Sequence, residues 1–346
     1  MRPGAGRILV AMLLLAAPMP ARGQFSDLPG SLKVGSDAAP AAAAKSSKPG
    51  TASAAPAGPP AKQLFGAVKA PAALEARAVG SYARGCLAGA QPLAIDGPAW
   101  QAMRLSRNRN WGHPELIRLV ERFAVETRSK DNWSGLLVGD ISQPRGGPML
   151  TGHASHQIGL DADIWLTPMP DRRLSHQERE ELAATSMLGP DQLTVDPKIW
   201  KPAHVALIRR AASYPEVERV LVHPGIKQAL CRDAGTANRG WLAKVRPYYG
   251  HHYHMHIRIG CPKGSGECVA QQPIPGDDGC GKELEDWFKL LTAPPKPGPP
   301  EPPKPPMTLA QLPSTCRVVL SSPAGTELAG KGKAGPAATV APAAAR

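Results

Sequence analysis

Two short histidine-rich segments decide how this chain folds and which chemistry it can perform. The first reads GHASHQIGLDADI over residues 152–164, and the second reads GHHYHMHIR over residues 250–258. Together they hold six of the ten histidines in the 346-residue chain. Because neutral imidazole is the commonest protein ligand for zinc, and a carboxylate often completes a catalytic site, this clustering predicts a metal centre.

Alternation in both segments predicts two strands that present polar side chains to one point. Residues 159–166 are typical of a strand with Asp161 and Asp163 on one face. In the second segment His254 and His256 share a face, while the apolar residues beside them pack inward. If the two strands are neighbours, a carboxylate and two imidazoles meet at one place.

A third imidazole can reach the same point, because His156 lies in the loop before the first strand. Three protein ligands with one position left open for water are typical of a catalytic zinc site rather than a structural one. The chain has no HExxH helix, no GxSxG elbow, no GxGxxG fingerprint and no P-loop. Serine hydrolase, dehydrogenase and NTPase functions therefore have no support in the sequence.

The rest of the body predicts an α+β fold. Helices are expected over residues 114–128, 175 to about 186, 202–212 and 282–291, and further strands over 136–138 and 217–222. The second helix opens with the capping box Ser175-x-x-Glu178. Helices and strands intermix without a βαβ rhythm, so we expect a single domain with a mainly antiparallel central sheet flanked by helices.

Composition divides the chain into five segments. We expect a signal peptide at 1–23 cleaved near Gly23, an Ala/Pro-rich linker at 24–63, the folded body at 64–291, a Pro-rich extension at 292–320 and a tail at 321–346. The linker and the tail have too few large apolar side chains to offset the entropy of ordering, so both are expected to be disordered.

Net charge and apolar runs limit the partners of the chain. The formal charge is +13, but the body holds 28 basic against 24 acidic side chains, so the excess sits mainly in the extensions. A basic face for nucleic acid is therefore not predicted. No apolar run is long enough for a membrane span, so we expect no stable membrane insertion after signal cleavage. Six cysteines in an exported chain predict three disulfides.

The spacing of the histidine segments resembles a known group of enzymes. His156-x6-Asp163 followed by His254-x-His256 is similar to the pattern of the lysostaphin/D-Ala-D-Ala peptidase/hedgehog-type zinc metallopeptidases. Within that group, both full segments, VDPKIW from Val195 and the later HPGIKQALC and KVRP stretches resemble the penicillin-insensitive murein endopeptidase family. The similarity covers roughly the body and the segment around the last cysteine.

This resemblance implies an exported, periplasmic peptidase with one zinc ion. Its substrate would be peptidoglycan, cut at D-Ala–diaminopimelate cross-links or at links between two diaminopimelates. Insensitivity to β-lactams would follow because there is no serine to acylate. The family pattern implies His156, Asp163 and His256 as zinc ligands, His153 as a contact of this or a second metal, and His254 and His251 as catalytic side chains, with the choice of base between them open.

The resemblance also extends to supporting residues. Asp161 would either support a ligand or be exposed. Asp191 stands where related enzymes have an Asp-x-x-His metal pair, but Thr194 replaces the histidine, which argues against a complete second metal site. The family pattern implies three disulfides: Cys86–Cys316, Cys231–Cys280 and Cys261–Cys268.

Two other functions remain compatible with these residues. One is a non-catalytic zinc-bearing binding module of the cell envelope, and the other is a D,D-dipeptidase or carboxypeptidase, which would need a closed pocket for a free carboxylate. The sequence does not indicate an oligomeric state. The four histidines outside the two segments, His113, His176, His204 and His223, are expected at the surface or at helix caps.

Overall fold

The structure is a computed structural model that describes residues 58–294, 298–299 and 304–325. The predicted signal peptide, most of the predicted linker and residues 326–346 lie outside the described residues, so those predictions stay predictions. All the elements given below belong to one compact unit.

The described residues form helices around a central sheet. The α-helices are α1 (Ala61–Ala67), α2 (Pro114–Lys130), α3 (His176–Glu181), α4 (Pro202–Ser213), α5 (Pro224–Asp233), α6 (Lys282–Thr292) and α7 (Thr315–Ser321). The strands are β1 (Arg77–Ser81), β2 (Arg84–Ala88), β3 (Gln91–Pro92), β4 (Trp100–Ala102), β5 (Trp111–Gly112), β6 (Leu136–Val138), β7 (Asp161–Trp165), β8 (Val217–Val222), β9 (Val245–Pro247) and β10 (His254–Ile259). Three-residue or five-residue 3-10 turns lie at Leu105–Arg107, Gly240–Lys244 and Leu309–Gln311.

Six strands make the central sheet, in the order β4-β6-β7-β10-β8-β9. The outer pairs β4–β6 and β8–β9 are parallel, and the three inner pairings are antiparallel. The strands β1–β2 and β3–β5 form two small antiparallel sheets beside it. The expected α+β fold with a mainly antiparallel sheet is confirmed.

The two histidine segments supply the central pair of strands, β7 and β10. They pair in antiparallel register with His256 opposite Asp163 and Arg258 opposite Asp161. Every residue of both strands is buried, so this pair lies in the middle of the core. The expectation that the strands are neighbours is confirmed, and the register sets which imidazole faces which carboxylate.

Helix α2 covers the sheet with one apolar stripe. Leu116, Val120 and Phe123 are each at most 1% exposed. Burying a side chain of this size stabilises the fold by about 1.5–3 kcal/mol. Phe123 also meets the ring of Tyr214, at the end of α4, edge-on with 5.9 Å between the ring centroids. The predicted helix is confirmed and runs two residues beyond Arg128.

Helix α3 is shorter than the predicted helix from residue 175 to about 186. The capping box forms as expected at its start. Its end is set by a side chain distant in sequence: the Arg104 guanidinium donates to the carbonyl oxygens of Arg179, Glu180 and Leu182. Once these carbonyls are satisfied from outside, the chain leaves the helix at Leu182 in an extended conformation.

Three disulfides fix the periphery of the fold. Bonds join Cys86 to Cys316, Cys231 to Cys280, and Cys261 to Cys268, the pairing that the resemblance implied. No free cysteine remains among the described residues.

The C-terminal segment is anchored to the body by more than a disulfide. Helix α7 carries the last cysteine, and the Arg145 guanidinium donates to the carbonyl oxygens of Val319 (2.8 Å), Leu320 (2.7 Å) and Ser322 (2.8 Å) near its end. Beyond it, Ala324 pairs with Ala72. The C-terminal segment is therefore bound to the body up to residue 325.

Helix α1 begins at Ala61, inside the stretch predicted as linker. The linker boundary at residue 63 is therefore a few residues too late. The physical reason is that Ala61 and Phe65 are fully buried in a small apolar cluster with Val319 of α7.

Among the described residues, none of the helices has both the length and the hydrophobicity that a membrane span requires.

Candidate metal centre

His156 lies at a turn that aims its imidazole into the sheet. Its φ is 68°, and its backbone N–H donates to Asp161 Oδ2 at 2.9 Å, which holds this left-handed conformation. Its Nδ1 lies 2.6 Å from the carbonyl oxygen of Ile141. Donation from Nδ1 leaves the Nε2 lone pair free to bind a metal.

Three donor atoms of the predicted ligands form a nearly equilateral triangle. His156 Nε2 lies 3.2 Å from His256 Nδ1. Asp163 Oδ1 lies 3.4 Å from each of these two nitrogens. Tetrahedral zinc with bonds of about 2.0–2.1 Å separates neighbouring ligand atoms by roughly 3.3–3.4 Å. The triangle therefore fits one face of a zinc coordination tetrahedron.

An unpartnered buried atom marks the same place. Asp163 Oδ1 is buried and has no hydrogen-bond partner among the described residues, although three imidazoles surround it. Burial raises the pKa of this carboxyl, but the neighbouring His254, His156 and His153 outweigh burial and hold the pKa well below its usual range. A buried carboxylate oxygen that has no hydrogen bond and is surrounded by imidazoles is typical of the ligand sets of zinc sites. The residues present fit the ion.

His153 offers a second, wider triad. One ligand atom from each of His153, His156 and Asp163 lies within 4.8 Å of the others. His153 Nδ1 lies 3.6 Å from Asp163 Oδ2, while its Nε2 lies 2.9 Å from Asp140 Oδ2. The triad with His256 has the shorter separations and suits one ion better. His153 would be a further candidate ligand, since its Nδ1 lies near the second oxygen of Asp163.

Asp161 is fully buried and supports the site rather than lying exposed. Its Oδ1 lies 2.9 Å from His256 Nε2 and accepts a 2.7 Å hydrogen bond from Arg258 Nε. Burial raises the pKa of Asp161, but Arg258 and His256 outweigh burial and hold it well below its usual range. A carboxylate behind a ligating histidine fixes the ring and raises its basicity.

His254 and His251 lie beside the triangle. His254 Nε2 lies 3.6 Å from Asp163 Oδ1, and its ring centroid lies 4.8 Å from that of His251. His251 Nδ1 lies 2.7 Å from the carbonyl oxygen of Tyr249. Burial, with the other two imidazoles of the strand, lowers the pKa of His251 well below its usual value, and burial lowers that of His254 to about 4. Burial therefore favours the neutral form of both rings.

A cleft of about 190 Å³ opens beside His254. Its lining includes Asp163, His254, Asp140 and Arg107. The sequence alone did not identify Asp140 or Arg107 as site residues, although Asp140 lies two residues after the predicted strand at 136–138. A carboxylate at the end of a buried strand is the feature of the sequence from which Asp140 could have been predicted as a site residue. Nothing in the sequence singles out Arg107.

The carboxylate of Asp191 accepts hydrogen bonds within its own turn. Its Oδ1 accepts from the backbone N–H groups of Leu193 and Thr194, each at 3.0 Å, and its Oδ2 accepts from Thr194 Oγ1 at 2.6 Å. No hydrogen bond or ion pair within the described part of the chain links it to the histidine cluster. The cluster of His153, His156 and Asp163 does not include Asp191.

The remaining histidines take structural positions. His113 and His223 each precede a proline and cap a helix, with Nδ1 accepting the N–H of Glu115 at 3.3 Å and of Gly225 at 3.1 Å. Burial lowers the pKa of both to about 4.

His204 caps the start of α4, where its Nδ1 accepts from the backbone N–H of Lys201 at 2.9 Å. His176 is exposed in the first turn of α3. Three of these four histidines therefore cap helices, and the three capping side chains are buried rather than at the surface.

A second cleft, larger than the first, lies away from this chemistry. It has a volume of about 960 Å³ and is lined by residues of α4 and α5 together with Asp131 and the 194–202 stretch. It contains none of the predicted metal or catalytic side chains. The smaller cleft is the better candidate for a reaction site because the convergent polar groups are there.

Known proteins with the same sequence features share one description. The family model described as penicillin-insensitive murein endopeptidase matches residues 78–321. Curated relatives carry that name: one from Haemophilus influenzae is 42% identical over 251 residues, which is 72% of this chain and 84% of the relative. One from Yersinia pestis is 41% identical over 74% of this chain and 90% of the relative. One from Klebsiella pneumoniae subsp. pneumoniae is 41% identical over 71% of this chain and 86% of the relative.

Proposed function

The chain belongs to the penicillin-insensitive murein endopeptidase family, and from that premise we propose that it is a zinc endopeptidase that hydrolyses peptide cross-links of peptidoglycan. The bonds cut would be D-Ala–diaminopimelate links, with diaminopimelate–diaminopimelate links as the second class. Export by the N-terminal segment and a periplasmic location are part of the same proposal, since the substrate lies outside the cytoplasm.

One observation carries the proposal of a catalytic metal. The atoms His156 Nε2, His256 Nδ1 and Asp163 Oδ1 lie 3.2–3.4 Å apart, and Asp163 together with the neighbouring His153 and His254 lines a cleft. Three protein ligands and an accessible fourth position are the arrangement of hydrolytic zinc sites. When bound, zinc would polarise the scissile carbonyl and make a water molecule more acidic.

The chain's own residues would handle the protons. His251 donates from Nδ1 to the Tyr249 carbonyl oxygen at 2.7 Å, so its Nε2 carries the lone pair and can act as general base. The same nitrogen can then return the proton to the leaving amine. His254 contacts both the His251 ring and Asp163, so it would position the base relative to the ligands. Activity without a nucleophilic serine accounts for resistance to β-lactams.

The roles can be separated by comparing three variants with the wild type. We expect His156→Ala to lose both zinc and the cleavage of cross-linked muropeptides. We expect His251→Ala to keep close to one zinc per chain and to lose at least about a hundredfold in kcat, in line with the loss of a general base. His176→Ala, which changes an exposed histidine outside the cluster, serves as the matched control and should behave as wild type.

Zinc content and turnover are measured on the same preparations. Loss of zinc in His251→Ala would contradict its assignment as base. A wild-type protein that is folded and zinc-loaded but cleaves no cross-link would contradict the enzymatic function and favour a binding module.

A further inference from the structure

We propose that Arg107 binds the substrate carboxylate next to the scissile amide and so selects diaminopimelate-type cross-links. The inference rests on the proposed function, since it concerns the same cleft. It assigns a specificity-determining residue that lies outside the two histidine segments. Arg107, His254 and Asp163 line one cavity, which places a guanidinium beside the reacting centre.

The hydrogen-bonding capacity of Arg107 is largely unused. Its Nη1 donates to Asp140 Oδ2 at 3.0 Å, and this is the one hydrogen bond that its guanidinium makes to the described residues. Its side chain is 46% exposed, whereas that of Asp140 is 3% exposed. A guanidinium has five N–H donors in a planar fork that matches a carboxylate. Arg107 therefore has donors available to a ligand in the cleft.

The neighbouring arginines differ in this respect. Arg104 also lines the cleft, but it donates to three backbone carbonyls at the end of α3 and lies over the Trp165 ring at 5.2 Å. Arg109 is 8% exposed and donates to Asp140 Oδ2 at 2.8 Å and to Thr151. Both are committed to holding the fold, so Arg107 is the guanidinium placed to meet a substrate.

The charge of Arg107 is only partly balanced by its neighbours, although the carboxylates of Asp140 and Asp163 also line the cleft. The buried carboxylate of Asp140 is matched by the buried Arg109, and that of Asp161 by Arg258. Arg107 shares Asp140 Oδ2 with Arg109 and His153, so its charge is only partly balanced. A ligand carboxylate would complete the pairing by charge-assisted bonds.

The backbone around Arg107 is held in an uncommon shape. Arg104 and Asn108, on either side of the Leu105–Arg107 turn, have φ values of 56° and 52°. A non-glycine residue in this left-handed region costs roughly 1–2 kcal/mol, and such residues cluster at ligand sites. Asn108 is fixed by a 2.8 Å hydrogen bond from Trp111 Nε1 to its Oδ1. The turn that carries Arg107 is thus rigidly presented.

The chemistry of the cross-link supplies a matching group. In diaminopimelate the amine that enters the cross-link and a carboxylate are attached to the same carbon. A carboxylate therefore lies next to the leaving nitrogen in both D-Ala–diaminopimelate and diaminopimelate–diaminopimelate links. Other stem-peptide carboxylates lie further from the bond, and an experiment has to distinguish them.

The test uses the full mature chain and three synthetic cross-linked peptide dimers. In the first all carboxylates are free, in the second the one beside the leaving nitrogen is amidated, and in the third a remote one is amidated. We expect wild type to prefer the first and third over the second by about tenfold to a hundredfold in kcat/KM, as for loss of a charge-assisted pair. Arg107→Gln should lose this preference by slowing only the first and third substrates, mainly through KM.

Two further variants make the result specific. Arg107→Lys should recover part of the preference, and Arg118→Gln, an exposed arginine on α2, should match wild type. Zinc content should be unchanged in all variants. Equal loss on all three dimers in Arg107→Gln, or a preference that follows the remote carboxylate, would overturn the inference while leaving the function intact. Failure of wild type to cleave any dimer would instead refute the proposed function.

Discussion

Asp161 is predicted to serve two purposes that a double variant can separate. It pairs with the buried Arg258 through Nε at 2.7 Å and Nη2 at 3.3 Å, and it lies behind His256 at 2.9 Å. Asp161→Asn keeps the shape and one acceptor but removes the charge. The first purpose concerns folding stability, and the second concerns the metal affinity of the proposed ligands His256 and His156, since Asp161 Oδ2 also accepts the backbone N–H of His156 at 2.9 Å.

The stability effect follows from the buried ion pair. Arg258 is 8% exposed and would keep its charge without a partner, which costs about 3–5 kcal/mol when one member of a buried pair is removed. For a domain of this size each kcal/mol lowers Tm by about 2–4 °C, so the expected fall is roughly 6–20 °C. Asp161→Asn/Arg258→Met removes both charges and should recover most of the loss, since Met retains the apolar length that packs on Tyr82.

The metal effect should not recover in the double variant. A carboxylate behind a ligating histidine is worth about tenfold to a hundredfold in metal affinity. Stability is measured on the metal-free proteins by thermal and urea unfolding, and zinc affinity by competition with a fluorescent chelator. The reasoning is refuted if zinc affinity stays within twofold of wild type in Asp161→Asn, or if replacing Arg258 restores zinc affinity together with stability.

Two further predictions concern the scaffold. His113 and His223 cap helices in the neutral form, with a pKa of about 4, below the value of about 6.5 in the unfolded chain. Their contribution to folding stability is therefore full above pH 6.5 and is lost as the pH falls towards 4, by up to about 3 kcal/mol for each histidine. Urea unfolding at pH 7 and pH 4.5 should show that H113N loses less stability in acid than wild type, and an unchanged dependence on pH would be the contrary result. Replacing Cys86 and Cys316 by serine opens a loop with a sequence separation of 230 and should cost about 5 kcal/mol, against about 2.5 kcal/mol for the disulfide that closes the 261–268 loop. Calorimetry measures both losses, and equal falls in Tm would contradict the chain-entropy argument.

Local patterns were enough to predict the centre of the fold. The alternation around Asp163 and His256 identifies two strands, and their polar faces have to meet once the strands are adjacent. The class of fold, the neighbouring strands and the clustering of the histidines could therefore be predicted. These features depend on residues close in sequence and on the two-residue period of a strand.

The rest of the site depends on contacts that no local pattern encodes. Arg104 ends α3 from more than 70 residues away, and this shortened a helix whose sequence continues to favour one. Asp140, Arg107 and Arg109 assemble beside the cleft through side chains of a polar loop with no periodicity. Similarly, His113 and His223 were expected to cap or to lie at the surface, but only the tertiary packing shows that they are buried.

The central claim is that a metal held by His156, Asp163 and His256 performs hydrolysis of peptidoglycan cross-links. The most direct measurement incubates mature protein, residues 24–346, with cross-linked peptidoglycan, with and without a zinc chelator, and identifies the muropeptides by mass spectrometry. We predict conversion of dimers to monomers that stops with the chelator and returns when zinc is restored, and the product masses will name the bond. Dimers that persist with folded, zinc-loaded protein, or cleavage that continues in the metal-free protein, would contradict the claim.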